Sequence, residues 1–148
     1  MSNPIVESAD YSYKGRVENC QDPSSSVRIR TSGTVKQATQ GSISSFKQAL
    51  LHSPLAIAVD ANQKFQSYSR GVLRNCGYTE INHAVNALGW TVKDGVEVLK
   101  VRNSWGGNWG EGGNVYIAID EAALAENNGL GPCGVLHTGV WAQARRIE

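Results

Sequence analysis

Ile81-Asn82-His83-Ala84-Val85-Asn86-Ala87-Leu88-Gly89-Trp90 runs largely apolar through Thr91-Val92 into Lys93-Asp94-Gly95, and Val96-Glu97-Val98-Leu99-Lys100-Val101 returns from it. Turn residues between two apolar runs rich in β-branched side chains predict a β-hairpin. Beyond the returning strand lies Asn103-Ser104-Trp105-Gly106-Gly107-Asn108-Trp109-Gly110-Glu111-Gly112-Gly113, eleven residues with five glycines and two tryptophans. No regular helix or strand selects that composition. Glycine there lets the backbone take positive φ or come close to another group.

Outward from this hairpin the pattern stays short-stranded. Ser42 is a good N-cap, and Ile43, Phe46, Ala49 and Leu50 recur at helical spacing in a helix that must end before Pro54. Leu55-Ala56-Ile57-Ala58-Val59 reads as a buried strand, residues 115–119 as another, residues 120–126 as a short helix or turn, and residues 135–141 as the last strand. Residues 11–33 are polar and turn-rich, with Asp22-Pro23-Ser24-Ser25-Ser26 as a loop. The expectation is an α+β domain, mainly antiparallel sheet with one or two short helices.

Composition narrows the function. The chain has 148 residues, 41% hydrophobic and 18% charged, so it carries enough apolar material for one core. Its net charge is +1, and no block of like charge exceeds Arg145-Arg146. A nucleic-acid partner bound through its phosphates needs a basic stripe, so none is expected. No apolar run approaches the ~18 residues of a membrane span, and residues 1–10 lack the pattern of a secretory signal. The three cysteines, Cys20, Cys76 and Cys133, form no C-x-x-C, and His52, His83 and His137 sit at no ligand spacing. Neither a metal nor a cofactor is expected.

One pair of residues promises chemistry. A lone histidine on a strand is usually a packed residue, but the hairpin places His83 and Asn103 at the same end of two paired strands. An Asn amide oxygen accepting the imidazole N–H fixes the tautomer and orientation of an acid–base catalyst. Trp105 and Trp109 are placed either to shield that hydrogen bond or simply to pack a core.

Ile81-Asn82-His83-Ala84-Val85, followed by the segment 102–113, closely resembles the papain-like cysteine peptidases of the cathepsin L and papain group. Asp10-Tyr11-Ser12-Tyr13 resembles the family's Tyr-Pro-Tyr segment, and Phe65-Gln66-Ser67-Tyr68-Ser69-Arg70-Gly71-Val72 resembles its Phe-x-x-Tyr-x-x-Gly-(Ile/Val). Cys133-Gly134 stands where the family has its late Cys-Gly. The resemblance spans residues 10–141. It implies an open, β-barrel-like lobe, the C-terminal half of the papain-like fold, with residues 1–148 as a single lobe.

The family's nucleophile motif, C-G-[SA]-C-[WY], does not occur here. Counting back about 130–150 residues from His83 and Asn103, as the family's spacing requires, places that cysteine before Met1. The resemblance therefore implies a Cys-bearing N-terminal lobe outside this sequence, with His83 as acid–base, Asn103 as its orienter, and Trp105 and Trp109 in support. Ala58, Ile81, Asn82, Ala84 and Thr138 match positions that contact peptide substrate. Small apolar walls there favour a bulky apolar side chain. Cys76 and Cys133 match a disulfide, and Cys20 matches a cysteine whose partner lies in the other lobe. The implied function is part of a cysteine endopeptidase, partnered by the Cys-bearing lobe or self-associated, in a lysosomal, vacuolar or extracellular setting. The alternative is an inactive remnant serving as a binding or structural protein.

Overall fold

A computed structural model describes residues 5–23 and 27–147. They fall into two units, residues 1–35 with 142–148 and residues 36–141. In the first, β1 (Ile5–Val6) pairs antiparallel with β2 (Arg28–Gln37), Ile5 opposite Ile29. Arg28 meets Asp22 at 2.7 Å there, and Cys20 is a free, exposed thiol. The sequence reading placed residues 11–33 in loops, but β2 already begins at Arg28. Arg28, Arg30 and Lys36 alternate with Ile29, Thr31 and Val35, yet Thr31 and Val35 are exposed, so the alternation buries no face.

The second unit starts with α1 (Ile43–Leu50), capped by Ser42, whose hydroxyl accepts the Ser45 N–H at 3.3 Å. Phe46 and Ala49 are its buried face. β3 (Leu55–Val59) buries alternate residues Leu55, Ile57 and Val59. Next come the four-residue α2 (Gln63–Gln66), the two-residue β4 (Val72–Leu73), and the hairpin of β5 (His83–Lys93) and β6 (Val96–Arg102). Asp94 at φ 51° and Gly95 at φ 76° make its turn, the doubly positive geometry that matches the twist of paired strands. β7 (Asn114–Ala118), α3 (Glu121–Leu124) and β8 (Thr138–Ile147) follow. Val135 and Leu136, expected to open the last strand, lie buried in turns ahead of it, and the strand starts at Thr138.

Within this unit the strands lie in the order β8-β3-β5-β6-β7-β4, antiparallel except for β4 on β7. The sheet is open rather than a closed barrel. Phe46, Leu55, Ile57, Leu99, Val101, Val115 and Ile117 form its core, each removed from water. Burial of side chains this size is worth roughly 1.5–3 kcal/mol apiece. Cys76 and Cys133 are joined by a disulfide across 57 residues, with Cα atoms 4.8 Å apart.

A bulge between Ala87 and Gly89 adds one residue to β5. Its last ladder pair with β6 is Asn86 with Arg102, so Asn103 leaves the sheet at the end where β5 begins at His83. The fold thus delivers both residues to one place.

Candidate active site

His83 Nε2 lies 2.8 Å from Asn103 Oδ1. The oxygen assignment is fixed locally, because the Ser104 N–H donates to the same atom at 2.8 Å. Oδ1 can only accept, so Nε2 carries a proton and donates it. In the neutral ring the Nδ1 lone pair is then left over, and Nδ1 has no hydrogen-bond partner among the described residues. That is the arrangement of an imidazole ready to take or give a proton at Nδ1.

The pair is walled by aromatic rings. Trp105 stacks on the imidazole, centroids 4.8 Å apart and planes 28° from parallel, while remaining 40% exposed. Phe65, fully buried, meets His83 edge-on at 6.1 Å and Trp105 at 5.7 Å. Asn62 presents Phe65 by capping α2, its Oδ1 accepting the Lys64 and Phe65 N–H groups. Trp109 does not touch the imidazole. It packs on Phe65 at 5.2 Å, Tyr68 at 5.7 Å and Trp105 at 5.4 Å, and its indole N–H donates to the Gln66 carbonyl at 2.9 Å. Asn103 is 6% exposed, so the acceptor side of the bond to half-buried His83 is shielded from water, yet its Nδ2 has no acceptor among the described residues. Phe65 went unassigned in the sequence because its rings of contact lie 18 to 44 positions away; only the Phe-x-x-Tyr spacing hinted at it.

Of the other predicted positions, three meet. Ala58 pairs with Ala84 on one side and Thr138 on the other, so their side chains form a row on one face of three adjacent strands. His83, one residue before Ala84, takes the opposite pleat at the start of β5. Ile81 and Asn82 precede it. The Asn82 amide is occupied: Oδ1 accepts the Ala61 N–H at 2.8 Å, and Nδ2 donates to Asp60 Oδ1 at 3.2 Å. Asp60, buried where Asn82 is exposed, accepts the Thr79 N–H at 2.8 Å through its other oxygen. Asn82 therefore ties the approach to His83 onto the end of β3. His137 Nδ1 lies 2.8 Å from the Thr138 hydroxyl and adds a polar neighbour to the row.

A charged cluster stands behind the loop. Glu111 accepts from Lys93 Nζ at 2.9 Å and from the Gly71 N–H at 2.8 Å, and the Tyr68 hydroxyl shares its one proton between the Gly71 carbonyl at 2.7 Å and this carboxylate at 3.1 Å. The Lys93 ammonium, aided by the other two donors, holds the Glu111 carboxyl below its usual range. Burial pushes the Tyr68 phenol upward, reinforced by that carboxylate.

A family model described as papain family cysteine protease matches residues 1–139. The chain belongs to the papain family of cysteine proteases. It is 34% identical over 132 residues to RD21B, a probable cysteine protease of Arabidopsis thaliana, covering 88% of this chain and 27% of that protein. Chymopapain of Carica papaya is 34% identical over 139 residues, 90% of this chain and 37% of that one. Among solved structures, the bromelain protease of Ananas comosus, in complex with the E64 inhibitor, superposes with a TM-score of 0.82 at 31% identity. That match covers 95% of this chain and 63% of the other. This papain-family chain thus spans roughly a quarter to two fifths of these curated relatives and under two thirds of the bromelain chain.

Proposed function

We propose that this chain supplies the acid–base half of a cysteine endopeptidase whose thiol is carried by a lobe outside this sequence. The observation that carries the reading is the His83 Nε2–Asn103 Oδ1 bond at 2.8 Å with Nδ1 left unspent. In that role the thiolate attacks a peptide carbonyl and His83 protonates the departing amine from Nδ1. Water then attacks the acyl-enzyme with His83 as base. Asn103 holds the ring in register, and Trp105 covers the bond and stacks on the imidazolium.

Three further facts support a thiol from elsewhere. Cys76 and Cys133 are bonded to each other and offer no thiol. The relatives extend well beyond the matched region. Asn103 Nδ2 is a buried donor without an acceptor among the described residues, and such a group is costly unless a docking partner satisfies it. The row of Ala58, Ala84 and Thr138, with Ile81, forms the wall that takes an apolar substrate side chain. Cys20 awaits a partner cysteine in the other lobe, and the disulfide supports an oxidising setting, lysosomal, vacuolar or extracellular.

Native mass spectrometry on material from the source tests the pairing. A co-purifying or covalently continuous Cys-bearing lobe supports it. A chain found alone, folded and inert, favours instead a remnant that binds without cleaving.

A further inference from the structure

We propose that Glu111 is a positioning residue for the His83–Asn103 pair, an inference that rests on the acid–base reading above. The loop from Asn103 to Gly113 delivers both Asn103 and Trp105, and it closes on itself: the Asn103 N–H donates to Gly113 O at 2.9 Å and the Gly113 N–H to Trp109 O at 2.8 Å. Trp105 and Trp109 pack its first half, but the glycine-rich stretch from Gly110 to Gly113 has no apolar side chain to pack and needs an anchor of its own. Glu111 provides one. Oε1 takes the Gly71 N–H, with the Tyr68 hydroxyl a longer contact at 3.1 Å, while Oε2 takes Lys93 at the far end of β5. One carboxylate therefore ties two separate segments to the loop, and charge-assisted bonds are the stronger kind.

The anchor reaches His83 by two physical routes. Gly71, held by Glu111 through its N–H, takes the Tyr68 hydroxyl on its carbonyl at 2.7 Å; Tyr68 backs Trp109; Trp109 backs Trp105; Trp105 stacks on the imidazole. Along the main chain, the Glu111 N–H donates to Asn114 O at 2.9 Å, setting the loop exit beside Gly113, whose carbonyl holds Asn103. Neither route brings Glu111 to substrate, so its action is through position.

The test is NMR on the chain itself at neutral pH, with no Cys-bearing lobe and no substrate. It reads solvent exchange of the His83 Nε2–H and the ring-current shift that Trp105 imposes on the His83 carbon-bound protons. Folded Glu111→Ala is expected to lose protection of that proton by about tenfold or more, the mark of easier local opening, and to lose part of the ring-current shift. Glu111→Gln keeps an oxygen for Gly71 but turns its amide NH2 toward the Lys93 ammonium, so it is expected to recover part of both signals. If Glu111→Ala does not fold, Glu111→Asp replaces it: one methylene short, it cannot span Gly71 and Lys93 together and is expected to move both signals the same way. A folded Ala or Asp variant with a lower Tm but wild-type His83 signals overturns the proposal, and so does a folded Gln variant whose signals are no nearer wild type than those of Ala. Absence of peptidase activity in a complete enzyme leaves this measurement standing, so the two readings fail separately.

Discussion

At the residue scale, His83 and Asn103 divide acid–base work between a group that moves the proton and a group that orients it. In a complete enzyme, His83→Ala is expected to abolish hydrolysis, since general acid–base catalysis contributes about 10²–10⁴-fold and the thiol also loses its activating partner. Asn103→Ala removes a bond to a group that becomes charged, worth about 1.5–3 kcal/mol. It should lower kcat about ten- to a hundredfold with a smaller change in KM, measured on a fluorogenic peptide. The pair was legible in the sequence because a single hairpin links the two residues and a two-residue turn fixes where its strands end. Phe65 and Glu111 were not, because Phe65 meets His83 18 positions on and Glu111 reaches Gly71 across 40. The place of Asn82 beside His83 gave no sign that its amide bonds Asp60 and the Ala61 N–H, since those partners lie 22 and 21 positions away.

At the scale of elements, the Gly/Trp loop is sensitive at Gly110. Its φ is +57°, and a Cβ there would lie 2.5 Å from Asn114 O and 3.1 Å from the Tyr68 ring. Backbone cannot yield as a side-chain tip can. Gly110→Ala is expected to cost at least about 2 kcal/mol, read as a lower denaturant midpoint, with the loop shifted off Tyr68. Ser42→Ala removes the α1 cap and should cost only about 1 kcal/mol, leaving the site untouched. The helix and the hairpin were readable because each carries its own start and stop signals. β2 was not, since Ser32-Gly33-Thr34 interrupts the alternation at its centre and turn residues precede it. The two-residue β4 and the four-residue α2 are too short to produce any period at all.

At the scale of the whole molecule, the Cys76–Cys133 bond closes a loop of 57 residues, a constraint on the unfolded chain worth on the order of 4 kcal/mol in the chain-entropy picture. Reduction should lower Tm by many degrees, and a Cys76→Ser/Cys133→Ser variant should match the reduced protein. Acid should act through two carboxyls. Lys93 holds Glu111 below its usual range, and Arg74, with the Ala123 N–H, does the same for Asp120. A depressed folded-state pKa gives stability that is present above the unfolded value and lost as pH falls through the folded one. Tm is therefore expected to drop as pH goes below about 4.3, the ordinary glutamate value. Glu111→Gln should be less stable at neutral pH and show a shallower acid decline.

The claim that this chain holds a working acid–base half is tested most directly by a chimera. The chain replaces the 132-residue region it matches in RD21B, leaving the remainder of that relative in place. Hydrolysis of an apolar-Arg fluorogenic peptide is then measured under reducing, mildly acidic conditions. The account predicts cleavage by the chimera, none by the isolated chain, and none by the chimera carrying His83→Ala. A folded chimera with a titratable thiol in the nucleophile position and no cleavage would contradict it.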